Sequence, residues 1–193
     1  MIHNLSNDIT TFFMKKQLLD DDDNIVFCYG MELLISTVIG VLLILLASSI
    51  AGDILWGIVY LIYIVPIRMY VGGYHAKNYW SCNTIFLLFF IIAFTIYKNI
   101  GENEYQILSY INLASVLVIF KWAPLENKNK IIKKIKKKKY RNIDMFVYVI
   151  GGLLGICLRN MYWINILTIV LINVTILLLM GKGVEIYEKE NKK

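Results

Sequence analysis

Residues Val26 to Ile50 read VFCYGMELLISTVIGVLLILLASSI, an almost unbroken apolar block with one charged side chain, Glu32. At about 1.5 Å per residue, a helix of this length exceeds the ~30 Å hydrocarbon core of a bilayer. The apolar residues fill every face of that helix, so its solvent is lipid. Further blocks run from about Ile54 to Ile67, Asn83 to Tyr97, Tyr105 to Ala123, Met145 to Leu158 and Trp163 to Met180. The chain is thus expected to be an all-α polytopic membrane protein with six transmembrane helices. The polar step Gly52-Asp53 separates the first two spans, and Pro124 closes the fourth. The second, third and fifth blocks are short for a bilayer and need flanking residues or local thinning.

Composition agrees with that solvent. The hydrophobic fraction is 58% and the mean hydropathy +0.60, above soluble domains. The net charge is +6, and ten of the twenty Lys and Arg residues lie between Lys121 and Arg141. Apolar spans flank this run and no nucleic-acid motif accompanies it, which excludes a nucleic-acid partner and marks a cytoplasmic loop. With the N-terminus inside and six alternating spans, 18 of the 20 cations fall on the cytoplasmic side; Lys98 and Arg159 fall outside. Both termini are therefore expected in the cytoplasm, in a multi-pass protein of the plasma membrane.

Before the first span, Leu5, Ile9, Phe12, Phe13 and Leu19 share one helical face, with Lys15 and Lys16 available to anionic headgroups. Residues 1–24 read as an amphipathic interfacial segment without a cleavable signal peptide, and Asp20 to Asp23 suit the start of the next helix. The six-span domain covers 25–181, with reactive and basic cytoplasmic loops at 68–82 and 121–143, and a tail at 182–193. Cys28, Cys82 and Cys157 are too few and too far apart for a disulfide frame. Cys28 and Cys157 lie in apolar sequence and are expected to pack in the core.

Chemistry concentrates in Arg68-Met69-Tyr70-Val71-Gly72-Gly73-Tyr74-His75-Ala76-Lys77-Asn78-Tyr79-Trp80-Ser81-Cys82. A thiol is a nucleophile as its anion; a nearby imidazole can take its proton and a helix N-terminus stabilises the charge. Cys82 opens the third span, and His75 is the histidine close to it in sequence; His3 lies near the N-terminus. On one straight helix seven residues rise about 10.5 Å, too far for contact. The segment must bend back, as Gly72 and Gly73 permit and Asn78 can help by capping or turning; otherwise the pair meets across a dimer. Glu32, costly inside a span, can pair with Arg68 or Lys77, orient His75, or serve only as a structural ion pair. Arg68 is an interface anchor or a clamp on a substrate carboxylate. Lys77, Lys133, Lys134, Lys136 and Lys137 serve topology and lipid contact, or also attract an acidic peptide. One His and one Cys do not make a metal site, and no metal or cofactor is expected.

Arg68, the Gly-Tyr-His-Ala run holding Gly73 and His75, and Cys82 seven residues on resemble the accessory gene regulator protein B family, membrane peptidases of quorum sensing. Ala123-Pro124, Asn127-Lys128-Asn129-Lys130 and a lysine run ending in Tyr140-Arg141 add to the likeness. Where many members carry a proline after the Asn/Lys stretch, this chain has Ile131-Ile132. The resemblance implies a cysteine endopeptidase that removes the C-terminal tail of a small amphipathic propeptide. Cys82 would form the acyl-enzyme with His75 as base, and the product would be a cyclic lactone or thiolactone autoinducing peptide. It also implies an acidic tail on the propeptide and a homodimer. The main rival is a non-enzymatic six-helix transport or small-molecule-binding subunit, which would not need Cys82. A transferase using His75 is a second rival and lacks an accompanying motif.

Overall fold

The computed structural model describes residues 2–16, 24–74, 78–125, 134–158 and 161–191. These residues form α1 (Ile2–Lys15), α2 (Asn24–Ile50), α3 (Ile54–Val71), α4 (Tyr79–Asn99), α5 (Glu102–Trp122), α6 (Lys134–Cys157) and α7 (Tyr162–Glu190). The all-α polytopic reading holds. Ala51 to Asp53 divides the first long apolar region into two helices: Gly52 takes a positive φ of 78°, and Asp53 caps α3 by accepting the Trp56 N–H at 3.1 Å.

Five helices are long and apolar enough to cross a membrane: α2, α3, α4, α5 and α7. The expected fifth span falls in α6, which differs because its first turns carry Lys134 to Arg141 and leave a short apolar remainder. It nevertheless packs against α3, α5 and α7. α7 also departs from its expected end. It continues past Met180 to Glu190, so most of the expected tail is helix. The Lys182–Glu185 pair at 2.9 Å supports this polar extension, one that a search for apolar blocks does not detect.

α7 forms the centre of the bundle, contacting α3, α4, α5 and α6. Ile166, Val170, Leu171, Val174, Leu177 and Leu178 on it are buried. Polar side chains fasten these helices: Asn112 donates to the Thr168 carbonyl at 3.1 Å, and Asn173 reaches the Tyr60 hydroxyl at 3.3 Å. Such bonds hold helices together where apolar burial alone gives little preference over lipid. On α2, Leu34, Val38, Leu42 and Leu46 recur every fourth residue and all point outward. That stripe requires an apolar surrounding.

α1 runs antiparallel to α2: Ser6 donates to the Cys28 carbonyl at 2.6 Å, and Phe13 meets Phe27 with ring centroids 5.3 Å apart. Its buried stripe is Ile2, Ser6 and Thr10, while Leu5 and Phe12 of the expected apolar face remain exposed. Small hydroxyl residues permit close packing on α2 and leave the bulky apolar groups outward. Leu19 lies outside the described residues.

Candidate thiol site at the start of α4

The site begins where α3 ends. Gly72 adopts φ 77° and ψ −154°, a backbone region essentially restricted to glycine. Gly73 follows with φ 146°. The turn is fastened on two sides: the Leu125 N–H donates to the Val71 carbonyl at 3.0 Å, and the Tyr74 N–H to the Leu177 carbonyl at 2.9 Å. Gly181 permits this approach, since a Cβ there would lie 2.8 Å from the Tyr74 nitrogen. A Cβ on Gly72 would lie 2.7 Å from the Leu125 carbonyl oxygen. Gly72→Ala is therefore expected to cost about 1–3 kcal/mol from backbone strain alone. Thermal unfolding in detergent checks it, and an unchanged midpoint would contradict this geometry.

The turn brings the chain back toward α4. Arg68, on the last turn of α3, donates through Nη2 to the Tyr74 carbonyl at 3.1 Å. The same nitrogen lies 3.9 Å from Cys82 Sγ. The guanidinium also sits over the Phe86 ring, 5.5 Å from its centroid; Phe86 is one helical turn beyond Cys82 on the same face. One guanidinium nitrogen thus joins the backbone immediately before His75 to the sulfur. Cys82 is half-buried, and its N–H donates to the Asn78 carbonyl at 3.0 Å. The first amides of α4, those of Tyr79, Trp80 and Ser81 in the turn preceding the thiol, have no carbonyl within the helix to bond.

His75 and Lys77 lie outside the described residues, as does Lys133. Asn78 occupies the N-cap position of α4 with extended backbone but makes no side-chain cap bond. Of the partners open to Glu32 from the sequence, Arg68 bonds Tyr74 and Cys82 instead, and His75 and Lys77 lie outside the described residues. The Glu32 carboxylate accepts from the Tyr79 hydroxyl at 2.6 Å and bonds His3 Nδ1, since the packing of α1 on α2 places His3 beside it. Cys28 is also not a core residue: it is half-buried, and its thiol donates to Asn7 Oδ1 at 3.0 Å. Cys157, the last residue of α6, is exposed. Of the lysine run, Lys134 and Lys136 begin α6, and their side chains lie outside the described residues. Lys137 lines a basic cavity of about 200 Å³ with Lys121, Arg141, Lys182 and Glu185.

Sequence reasoning missed Tyr79 and the docking of Tyr74 on Leu177. Neither has a local signal, since each partner comes from a helix distant in sequence. It also missed Asp144, a buried carboxylate whose Oδ2 has no hydrogen-bond partner among the described residues.

A multi-pass helical bundle with a half-buried cysteine at the head of one span, an arginine against the sulfur and a glycine turn beside it defines a membrane protein with a thiol site. The model of the family Accessory gene regulator B matches residues 6–180, and the chain belongs to the AgrB family. It is 27% identical over 145 residues to AgrB-like protein 2 of Clostridium perfringens strain 13, covering 72% of this chain and 68% of that one. It is 25% identical over 198 residues to an AgrB-like protein of Clostridium beijerinckii, covering 100% and 96%. No solved structure matches. Membership implies a propeptide-processing role of the AgrB kind.

Proposed function

We propose that this protein is an integral-membrane cysteine endopeptidase that trims the C-terminal tail of its propeptide and promotes ring closure. The reading rests on the Arg68 guanidinium joining the Tyr74 carbonyl and Cys82 Sγ at the first turn of α4. The bundle crosses the plasma membrane six times, α6 supplying the fifth span, with both termini and the site in the cytoplasm.

His75 removes the Cys82 proton, and the sulfur attacks the scissile carbonyl. Arg68 opposes the negative charge on the sulfur. As the tetrahedral intermediate collapses, the C–N bond breaks and His75 returns its proton to the departing amine. The N-terminal fragment is then held as a thioester on Cys82. A hydroxyl or thiol within that fragment attacks the thioester, releases the Cys82 sulfur and closes a lactone or thiolactone. Holding both reacting ends of one chain favours closure over attack by water.

The basic cavity at the ends of α5, α6 and α7 suits an acidic tail. Arg141 presents there a buried Nε that no described residue accepts. The cavity adjoins Leu125, which is bonded to the turn before Cys82. Lys121→Glu with Arg141→Glu is expected to raise the KM for an acidic-tailed propeptide about 10-fold at low salt, with little change in kcat. Cleavage at several substrate concentrations checks this; an unchanged KM would remove the cavity from substrate binding.

Co-expression with the propeptide tests the whole proposal. Wild type is expected to release the tail and yield the shortened peptide, whereas Cys82→Ala and His75→Ala leave the precursor intact. Normal processing by both variants would overturn it. A transport subunit would instead bind a small ligand and be indifferent to Cys82.

A further inference from the structure

Three metal-binding donors from two helices meet where α1 lies on α2. His3, Cys28 and Glu32 each offer a ligand atom, and these atoms lie within 4.8 Å of one another. Cys28 and Glu32 are four residues apart on α2 and share a face; the packing of α1 brings His3 over them. Their surroundings are built. Asn7, one turn along α1 from His3, holds two of the donors: Cys28 Sγ lies 3.0 Å from its Oδ1, and His3 Nε2 lies 3.2 Å from its Nδ2. The Tyr79 hydroxyl holds the other oxygen of Glu32.

We propose that His3 Nδ1, Cys28 Sγ and Glu32 form a binding site for a divalent ion of the zinc class, tying α1 to α2 beside the head of α4. Thiolate and imidazole favour zinc over magnesium or calcium, and three protein ligands leave a fourth position for water. Two negative ligands and a neutral imidazole cancel the charge of the ion, so the loaded site is uncharged near the apolar boundary. On loading, the Cys28 thiol proton passes to solvent and the His3 proton moves from Nδ1 to Nε2. A half-turn of the Asn7 amide then lets Oδ1 accept from Nε2–H while its NH2 donates to the sulfur. Every ligand thereby keeps an outer partner, as metal sites require. Tyr79 passes the constraint to α4 three residues before Cys82. The metal site stands independently of the peptidase reading.

Cobalt(II) is the probe, because its bond to sulfur gives a near-ultraviolet charge-transfer band. The full chain, with a C-terminal tag free of histidine, is purified in detergent as the Cys82→Ala, Cys157→Ala variant, leaving Cys28 as its one thiol. Titration is expected to give that band at one cobalt per chain, displaced by zinc and not by magnesium. Cys28→Ser should abolish the band; His3→Ala and Glu32→Gln should each weaken binding at least about 10-fold, and Tyr79→Phe about 10-fold. No band at saturating cobalt would overturn the proposal, as would a band equally strong without His3 or Glu32. Because His3 is exposed, its variant tests the site even if Cys28→Ser fails to fold.

Discussion

Cys82→Ser is expected to abolish tail removal, lowering kcat by on the order of 10⁴-fold or more while the protein still folds and inserts. Loss of a nucleophile removes the covalent route entirely, and what remains is positioning by the rest of the site. The hydroxyl is nearly the size of the thiol but is a far weaker nucleophile at neutral pH. Since Cys82 is half-buried, the exchange disturbs little packing, so unfolding would not account for the lost activity. Quantifying cleaved and intact propeptide against time, with the thermal midpoint as a folding control, separates the two. A serine variant retaining a tenth of the wild-type rate would rule out Cys82 as the attacking group.

Arg68→Ala ranks second, with an expected loss of about 10²–10³-fold in kcat, comparable to removing one charge-stabilising donor from an active site. Among the described residues its guanidinium touches the Tyr74 carbonyl, the Cys82 sulfur and the Phe86 ring. Arg68→Lys distinguishes this role from anchoring. A lysine retains the charge at the membrane boundary but lacks the planar guanidinium that lies on the Phe86 ring while its Nη2 serves both oxygen and sulfur. If the planar group matters, lysine should restore no more than about a tenth of the activity; full recovery with lysine would assign Arg68 to the lipid interface.

The sequence revealed the bundle well because lipid imposes a severe demand: each crossing needs a long apolar helix, and α2, α3, α4, α5 and α7 show it plainly. α6 was harder, because its basic first turns and apolar remainder are one continuous helix. The polar extension of α7 was missed for a related reason, since its charged residues stabilise a helix without making it apolar. At the site, Gly72 and Gly73 signalled the bend, and Arg68 with Cys82 were legible from residue type. Contacts made through packing were not. Glu32 pairs with His3 across 29 positions and with Tyr79 across 47, and no local pattern encodes such distances. The misreading of Cys28 has the same cause: its neighbours come from α1 rather than from the apolar sequence around it.

The proposed reaction passes through a covalent bond between the propeptide fragment and the Cys82 sulfur. Acid-quenched wild-type protein, taken during turnover and digested, can be examined by mass spectrometry for that thioester. A peptide containing Cys82 is expected to carry the N-terminal propeptide fragment and to lose it on hydroxylamine treatment. Active turnover with the fragment attached to Cys28 or Cys157 instead, or with no cysteine ever acylated, would contradict it.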